Sequence, residues 1–320
     1  MRMRVDSVGW AVPERVESSA ELSAKVGRSL RWIVDRTGVE NRRVADEPME
    51  VLGARAAREA LGQGPPPDLI LNASLTPRQL IPDSSVFLQR ELGYSGIPSF
   101  SIHATCLSFL VALHVAGALV CSSHYRRILV VSTETGTISR NFAEQESAVL
   151  IGDGAAAAVV VASEAGAPSE LLAYKMRTYP EGAELTEFRG AGTFRHPNDP
   201  RTTREDNLFS MHGPGVYRMG RRRVAEILDE LFAEAGVRRE DVACVVPHQA
   251  SGPAVASLQN YGFPPDKVVN IVKDYGNCIA ASIPMALATA VREERLRRGD
   301  LVLLLGTGAG LGVAGALLRW

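Results

Sequence analysis

Three residues stand where side-chain type and position suit nucleophilic chemistry: Cys106, His248 and Asn277. Cys106 follows SIHAT, a strand-like run that turns into an apolar helix, and so lies at or next to a helix N-terminus. Free N–H groups and the macrodipole there favour thiolate over thiol, which makes the cysteine a candidate nucleophile. The plainer alternative is a buried cysteine acting as a small hydrophobe. His248 ends the run ACVVP, where side chains of an open α/β sheet emerge into the crevice beyond the strand carboxyl ends. Asn277 follows Gly276 at a second helix start, and it is either a plain N-cap or a member of the same pocket. Of the remaining cysteines, Cys121 and Cys244 read as core, and Cys278 stands beside Asn277 with its role open. His114, on an apolar helix, reads as a satisfied core residue, and the other histidines offer no partner pattern.

The elements that must position these residues come from an internal repeat at an offset of about 172 (278 − 106). In each half an apolar run ending in small polar residues (PDLILNASLT, EDVACVVPHQAS) precedes a buried helix entered at Thr105-Cys106 or Asn277-Cys278. A strand follows (RRILVVSTE, GDLVLLLGTG), and then a glycine turn with a small-residue strand (GDGAAAAVVVAS, GAGLGVAGALL). Alternation of this kind makes an α/β protein with mixed sheets, and helices apolar nearly all round belong between two sheets. The halves divide as residues 1–168, holding the cysteine, and 169–320, holding the histidine and asparagine. Residues 164–207 read as connection and loops, and RRRVAEILDEL from Arg221 as an amphipathic surface helix.

Leu301 to Leu318 is uncharged across 18 positions but carries five glycines, so it reads as two buried strands around a turn rather than a membrane span. Lys and Arg number 35 against 36 Asp and Glu, a balance that argues against a protein built to neutralise nucleic-acid phosphates. Four cysteines without paired spacing suggest neither a disulfide scaffold nor a metal site, and the N-terminus lacks a secretory pattern. A cytoplasmic protein, with no membrane or nucleic-acid partner, is expected.

ATCLSFLVAL around Cys106, VVPHQAS around His248, YGNCIAASIPMAL around Asn277, IGDGAAAAVV and the closing GTGAGLGVAGALLRW resemble the β-ketoacyl-acyl-carrier-protein synthase III branch of the thiolase superfamily. WIVDRTGVENRRVA, from Trp32, is similar to its N-terminal signature. The resemblance implies a five-layered αβαβα thiolase-like fold, a homodimer, and a condensing enzyme without a tightly bound cofactor, acting on coenzyme A or acyl-carrier-protein thioesters. It makes Cys106 the acyl acceptor, His248 and Asn277 donors to the extender thioester oxygen, and the N–H groups of Cys106 and Ala309 the oxyanion hole. It assigns Trp32 and Arg36 to the adenine end of coenzyme A, and Ile81 to the acyl tunnel of the neighbouring subunit. Arg218, followed by Arg221, Arg222 and Arg223, could dock an acidic carrier protein or form a solvated helix start.

The chain departs from the housekeeping pattern at Gln145-Glu146, in place of an arginine that contacts coenzyme A, and at Pro214, in place of an asparagine on the pantetheine arm. Ile81 stands in place of an aromatic residue, which implies room for a longer or branched acyl group. A specialised fatty-acid or polyketide-type pathway is the leading reading. An acyltransferase passing the Cys106-bound group to an alcohol, amine or thioester, and a non-catalytic partner of another synthase, are the alternatives.

Overall fold

Neighbouring residues of one strand serve different layers. In Arg127–Glu134, Ile128 and Val130 pack into one core while Leu129 and Val131 pack into another, as the two-residue period of a strand requires. The computed structural model, which describes residues 1–164 and 166–320, builds its layers on this alternation. One sheet runs in the order Met3–Ala11, Gly154–Ala162, Arg127–Glu134, Leu69–Asn72, Ser99–Ser101, with the first two pairings antiparallel and the last two parallel. The other runs Val242–Pro247, Leu301–Gly308, Gly312–Arg319, Glu170–Thr178, with the first pairing parallel and the others antiparallel.

Between the sheets lie the helices Ser108–Cys121 and Ser282–Arg292, whose Phe109, Leu110, Leu113, Ile283, Met285 and Leu287 share one core with inward residues of both sheets. Met49–Leu61 covers the outer face of the first sheet and Gly213–Ala235 that of the second, completing the αβαβα order. Small residues bring these layers close. A Cβ on Gly9 would lie 2.4 Å from the Ala56 carbonyl oxygen, so the edge strand rests directly on the helix.

Leu301–Gly308 and Gly312–Arg319 are antiparallel strands, with Gly310 at φ +124° between them. Among the described residues, no helix is long and apolar enough to cross a membrane. The surface helix is longer than RRRVAEILDEL suggested, because Pro214 in the first turn starts it early. The connecting region 164–207 also contains a full strand, Glu170–Thr178, that its charged residues disguised.

The repeat has a different register from the one its cysteines suggest. The turns Thr105–Leu107 and Ile279–Ala281, the helices that follow them, and the strands beginning at Arg127 and Leu301 all correspond at 174 residues (279 − 105). Cys278 is therefore the counterpart of Ala104, not of Cys106. It is buried, with its thiol 3.4 Å from the Tyr275 carbonyl oxygen, and acts as core. Cys244 is likewise core, but Cys121 is exposed, because it ends its helix on the outer side.

Candidate active site

Cys106 occupies the turn Thr105–Leu107 that leads into the helix Ser108–Cys121. The Ser108 hydroxyl clamps this turn, accepting from the Ala104 N–H at 3.0 Å and donating to the Thr105 carbonyl at 2.7 Å. Thr105 is held at φ +53°, an uncommon conformation for a β-branched residue and one that marks a site fixed by its surroundings. The N–H groups of Cys106 and Ala309 both address the sulfur. They do not make it a thiolate. Burial pushes the Cys106 thiol up to about 12, the Glu134 carboxylate adds to the rise, and the two N–H groups only oppose it. The expectation of a dipole-activated thiolate is corrected: desolvation outweighs the helix start, and the resting sulfur is a neutral thiol.

His248 follows the strand Val242–Pro247, and its N–H donates to the Leu305 carbonyl at 2.7 Å. Burial pushes its imidazole down to about 4, so it too is neutral at rest. Its Nδ1 has no hydrogen-bond partner among the described residues. The loop beyond is pinned by fully buried Gln249, which donates to the carbonyls of Pro247 and Val269 and accepts from the Ile271 N–H.

Asn277 fills the first of the roles left open for it, the cap. Its Oδ1 accepts from the Ile279 N–H at 2.9 Å, capping the second turn, which turns Nδ2 toward the Ala250 carbonyl at 3.4 Å. The cap thus aims the amide donor at the loop that carries His248. Gly276 ahead of it is required, because φ is +66° and a Cβ would lie 2.4 Å from the Leu150 carbonyl oxygen.

One strand lies against two of the three residues. A Cβ on Gly306 would lie 3.1 Å from His248 Cβ, and one on Gly308 would lie 2.6 Å from Thr105 Oγ1 and 3.5 Å from the Cys106 nitrogen. The glycines of Leu301–Gly308 therefore let it pass directly against both the nucleophile turn and the histidine.

A pocket of about 370 Å³ reaches His248 and runs out past Gly306, Thr307, Ala250 and Val216 to Arg36 and Arg221. It shares Glu146, Met211, Gly213 and Pro214 with a second hollow lined by Trp32, Arg28 and Gln145. Trp32 and Arg36 are thus gathered at its mouth. There Arg28, which the sequence reading missed, lies 5.1 Å over the Trp32 ring and donates to Gln145 at 2.6 Å, a cation beside the position where an arginine is lost. Arg218 and Arg221 are exposed and, among the described residues, form no ion pair, whereas Arg222 is engaged with Glu226 at 3.0 Å. Ile81 lies elsewhere, 85% exposed on a loop.

Glu134 was also missed. Its signal was a lone acid closing the apolar strand RILVVSTE. Fully buried, it accepts from Leu75 and Thr76, and burial pushes its carboxyl up to about 8.

Two family models match this chain: 3-oxoacyl-[acyl-carrier-protein] synthase III over residues 100–180, and its C-terminal part over 232–320. The chain is 33% identical to the β-ketoacyl-[acyl-carrier-protein] synthase III of Aquifex aeolicus and 35% identical to that of Erythrobacter litoralis, in each case over 100% of both chains. It belongs to the β-ketoacyl-acyl-carrier-protein synthase III family. The chain superposes on the crystal structure of 3-oxoacyl-[acyl-carrier-protein] synthase III from Aquifex aeolicus with TM-score 0.90 and 31% identity, covering 99% of this chain and 100% of that one. It matches the priming β-ketosynthase of the R1128 polyketide pathway at TM-score 0.90 and 31% identity, covering 99% and 96%. The thiolase-like layering read above is that of the family, and the chain is a condensing enzyme of the acyltransferase class.

Proposed function

We propose that Cys106 takes an acyl group from a carrier-protein or coenzyme A thioester and that His248 and Asn277 drive its Claisen condensation with a malonyl-type thioester. The observation that carries this reading is that the Cys106 turn and His248 both lie against Leu301–Gly308, while the amide donor of Asn277 is aimed at the loop that carries His248. Because thiol and imidazole are both neutral at rest, moving the thiol proton to His248 as sulfur attacks keeps the net charge of the site constant. The N–H groups of Cys106 and Ala309 receive the oxyanion, and the departing thiolate recovers the proton from His248. In the second half, the bond from the extender α-carbon to its carboxylate breaks and CO₂ leaves. His248 and Asn277 donate to the enolate oxygen, and the α-carbon attacks the thioester. Cys106 leaves as thiolate and takes up one proton from solvent, which balances the carboxylate lost as CO₂.

Trp32, Arg36 and Arg28 form the mouth through which the pantetheine arm enters, and Arg218 and Arg221 are the free cations for an acidic carrier protein. Arg222 contributes less, since Glu226 holds it. No tightly bound cofactor enters this scheme. The active form is a homodimer in which Ile81 reaches the partner's acyl channel. Exposed Leu80, Ile81, Val86 and Phe100 support this, Phe100 standing on the edge strand Ser99–Ser101.

Intact-protein mass spectrometry tests the reading. Wild type should gain an acyl mass from an acyl-thioester panel and lose it as CO₂ and β-keto product form on adding malonyl-carrier protein, while Cys106→Ala gains none. Loss of the acyl group to an alcohol or amine without CO₂ would replace condensation by plain acyl transfer.

A further inference from the structure

The helix Gly213–Ala235 turns a stripe of Val216, Gly220 and Val224, four residues apart, toward the pocket. The centre of that stripe is a buried glycine, which weakens a helix interior relative to alanine. Neither usual reason for such a glycine applies. Gly220 has no left-handed φ, and a Cβ there would meet only Thr307 Cγ2, at 3.6 Å, an ordinary contact. Its backbone and packing would accept a side chain, so what the glycine provides is space.

That space opens on the pocket, whose lining also includes Val224, Leu258, Tyr261, Leu305 and Thr307; we call the part of it beside Gly220 and Thr307 the notch. Tyr261 is held at the pocket wall by its hydroxyl, which donates to the Arg221 carbonyl at 2.9 Å. No charged side chain belongs to this set. The near end is the stretch Leu305–Thr307, between the carbonyl that holds His248 and the glycine that lies against Cys106. Any nucleophilic carbon must sit between those two residues to react.

We propose that the notch formed by Gly220 and Thr307 is a subsite for an alkyl substituent on the α-carbon of the nucleophilic thioester, so that the enzyme accepts α-alkylmalonyl extenders. This rests on the condensing reading above. The α-carbon loses CO₂, and its electron pair forms the new bond to the Cys106 thioester carbon. The remaining hydrogen and alkyl group stay on it, and the product is an α-alkyl-β-ketoacyl thioester. A malonyl unit leaves the notch empty, whereas each methylene placed in it favours binding by about fourfold.

The test is a competition. Self-acylated wild type, Gly220→Val, Gly220→Ala and Thr307→Phe are offered equal malonyl- and ethylmalonyl-carrier-protein thioesters, and the two β-keto products and the Cys106 acyl mass are read together by mass spectrometry. Wild type should form the ethyl-branched product at least as readily as the unbranched one, and Gly220→Val and Thr307→Phe should shift the ratio at least tenfold toward the unbranched product. Gly220→Ala, which meets no close contact, should shift it less and serves if the larger variants fail to acylate. An unchanged ratio in the variants, or no branched product from wild type, overturns the proposal. Acylation of Cys106 with no β-keto product from either extender would instead overturn the condensing reading.

Discussion

At the scale of single residues, the neutral pairing of Cys106 and His248 is the property that most shapes reactivity. With the thiol pushed up to about 12, iodoacetamide alkylation of Cys106, followed by mass spectrometry from pH 6 to 10, should rise without a plateau. A plateau near neutrality would mean a standing thiolate. The imidazole, pushed down to about 4, accepts the thiol proton only while neutral, so acylation should hold from neutrality downward and fall as pH drops through about 4. Asn277→Ala removes a donor from the enolate but nothing from thioester formation. Decarboxylation measured by CO₂ release should fall about 10²–10³-fold while the acyl mass on Cys106 persists. Equal loss of both steps would mean that Asn277 serves only as the cap on Ile279.

At the scale of elements, the site is the meeting of two equivalent turns with one glycine-bearing strand. Thr105 and Ile279 start those turns at φ +53° and +47°, and both precede buried helices. Equivalence of backbone does not mean equivalence of role: the first turn carries the nucleophile, and the second is capped by the amide. The strand lies at contact distance from the first turn only because Gly308 has no side chain. Gly308→Ala would put a carbon 2.6 Å from Thr105 Oγ1, an overlap that must displace the nucleophile turn. Thermal unfolding should show a loss of roughly 1–3 kcal/mol, and acylation should slow far more than stability accounts for. Unchanged acylation would show that the turn relaxes freely.

At the scale of the whole molecule, burial of Glu134 ties stability to pH. Its folded carboxyl, at about 8, lies above the ordinary value of 4.5, so the folded state binds the extra proton between those limits. This contribution is fully present below about pH 4.5 and is lost as pH rises through about 8. Glu134→Gln keeps one acceptor oxygen, for Leu75 or for Thr76 but not both, a loss that does not depend on pH, and it cannot titrate. The difference between wild-type and variant unfolding free energies, followed by urea melts, should therefore drift against wild type from pH 4.5 to 8 and then level off. A flat difference would place the carboxyl at an ordinary pKa.

How much of this was legible in the chain itself depends on what each signal encodes. The layers were readable because buried strands and all-apolar helices announce themselves by period and composition, and the glycine turn within Leu301–Leu318 separated two strands from a membrane span. Cys106, His248 and Asn277 were readable because local sequence puts them at strand and helix ends. The repeat was visible, but its register was two residues off, since the pairing of Cys106 with Cys278 follows residue identity whereas the true correspondence follows backbone turns. Glu170–Thr178 was hidden because a strand with a partly exposed face can carry Lys175 and Arg177. The sequence by itself determined the element types and the placing of Cys106, His248 and Asn277 at strand and helix ends, which depend on near neighbours along the chain. Only the tertiary structure decided that the thiol is neutral, that Arg28 lies over Trp32, that Glu134 is buried, and that Gly220 lies beside Thr307 on the pocket wall, because desolvation and close approach arise between segments far apart in sequence.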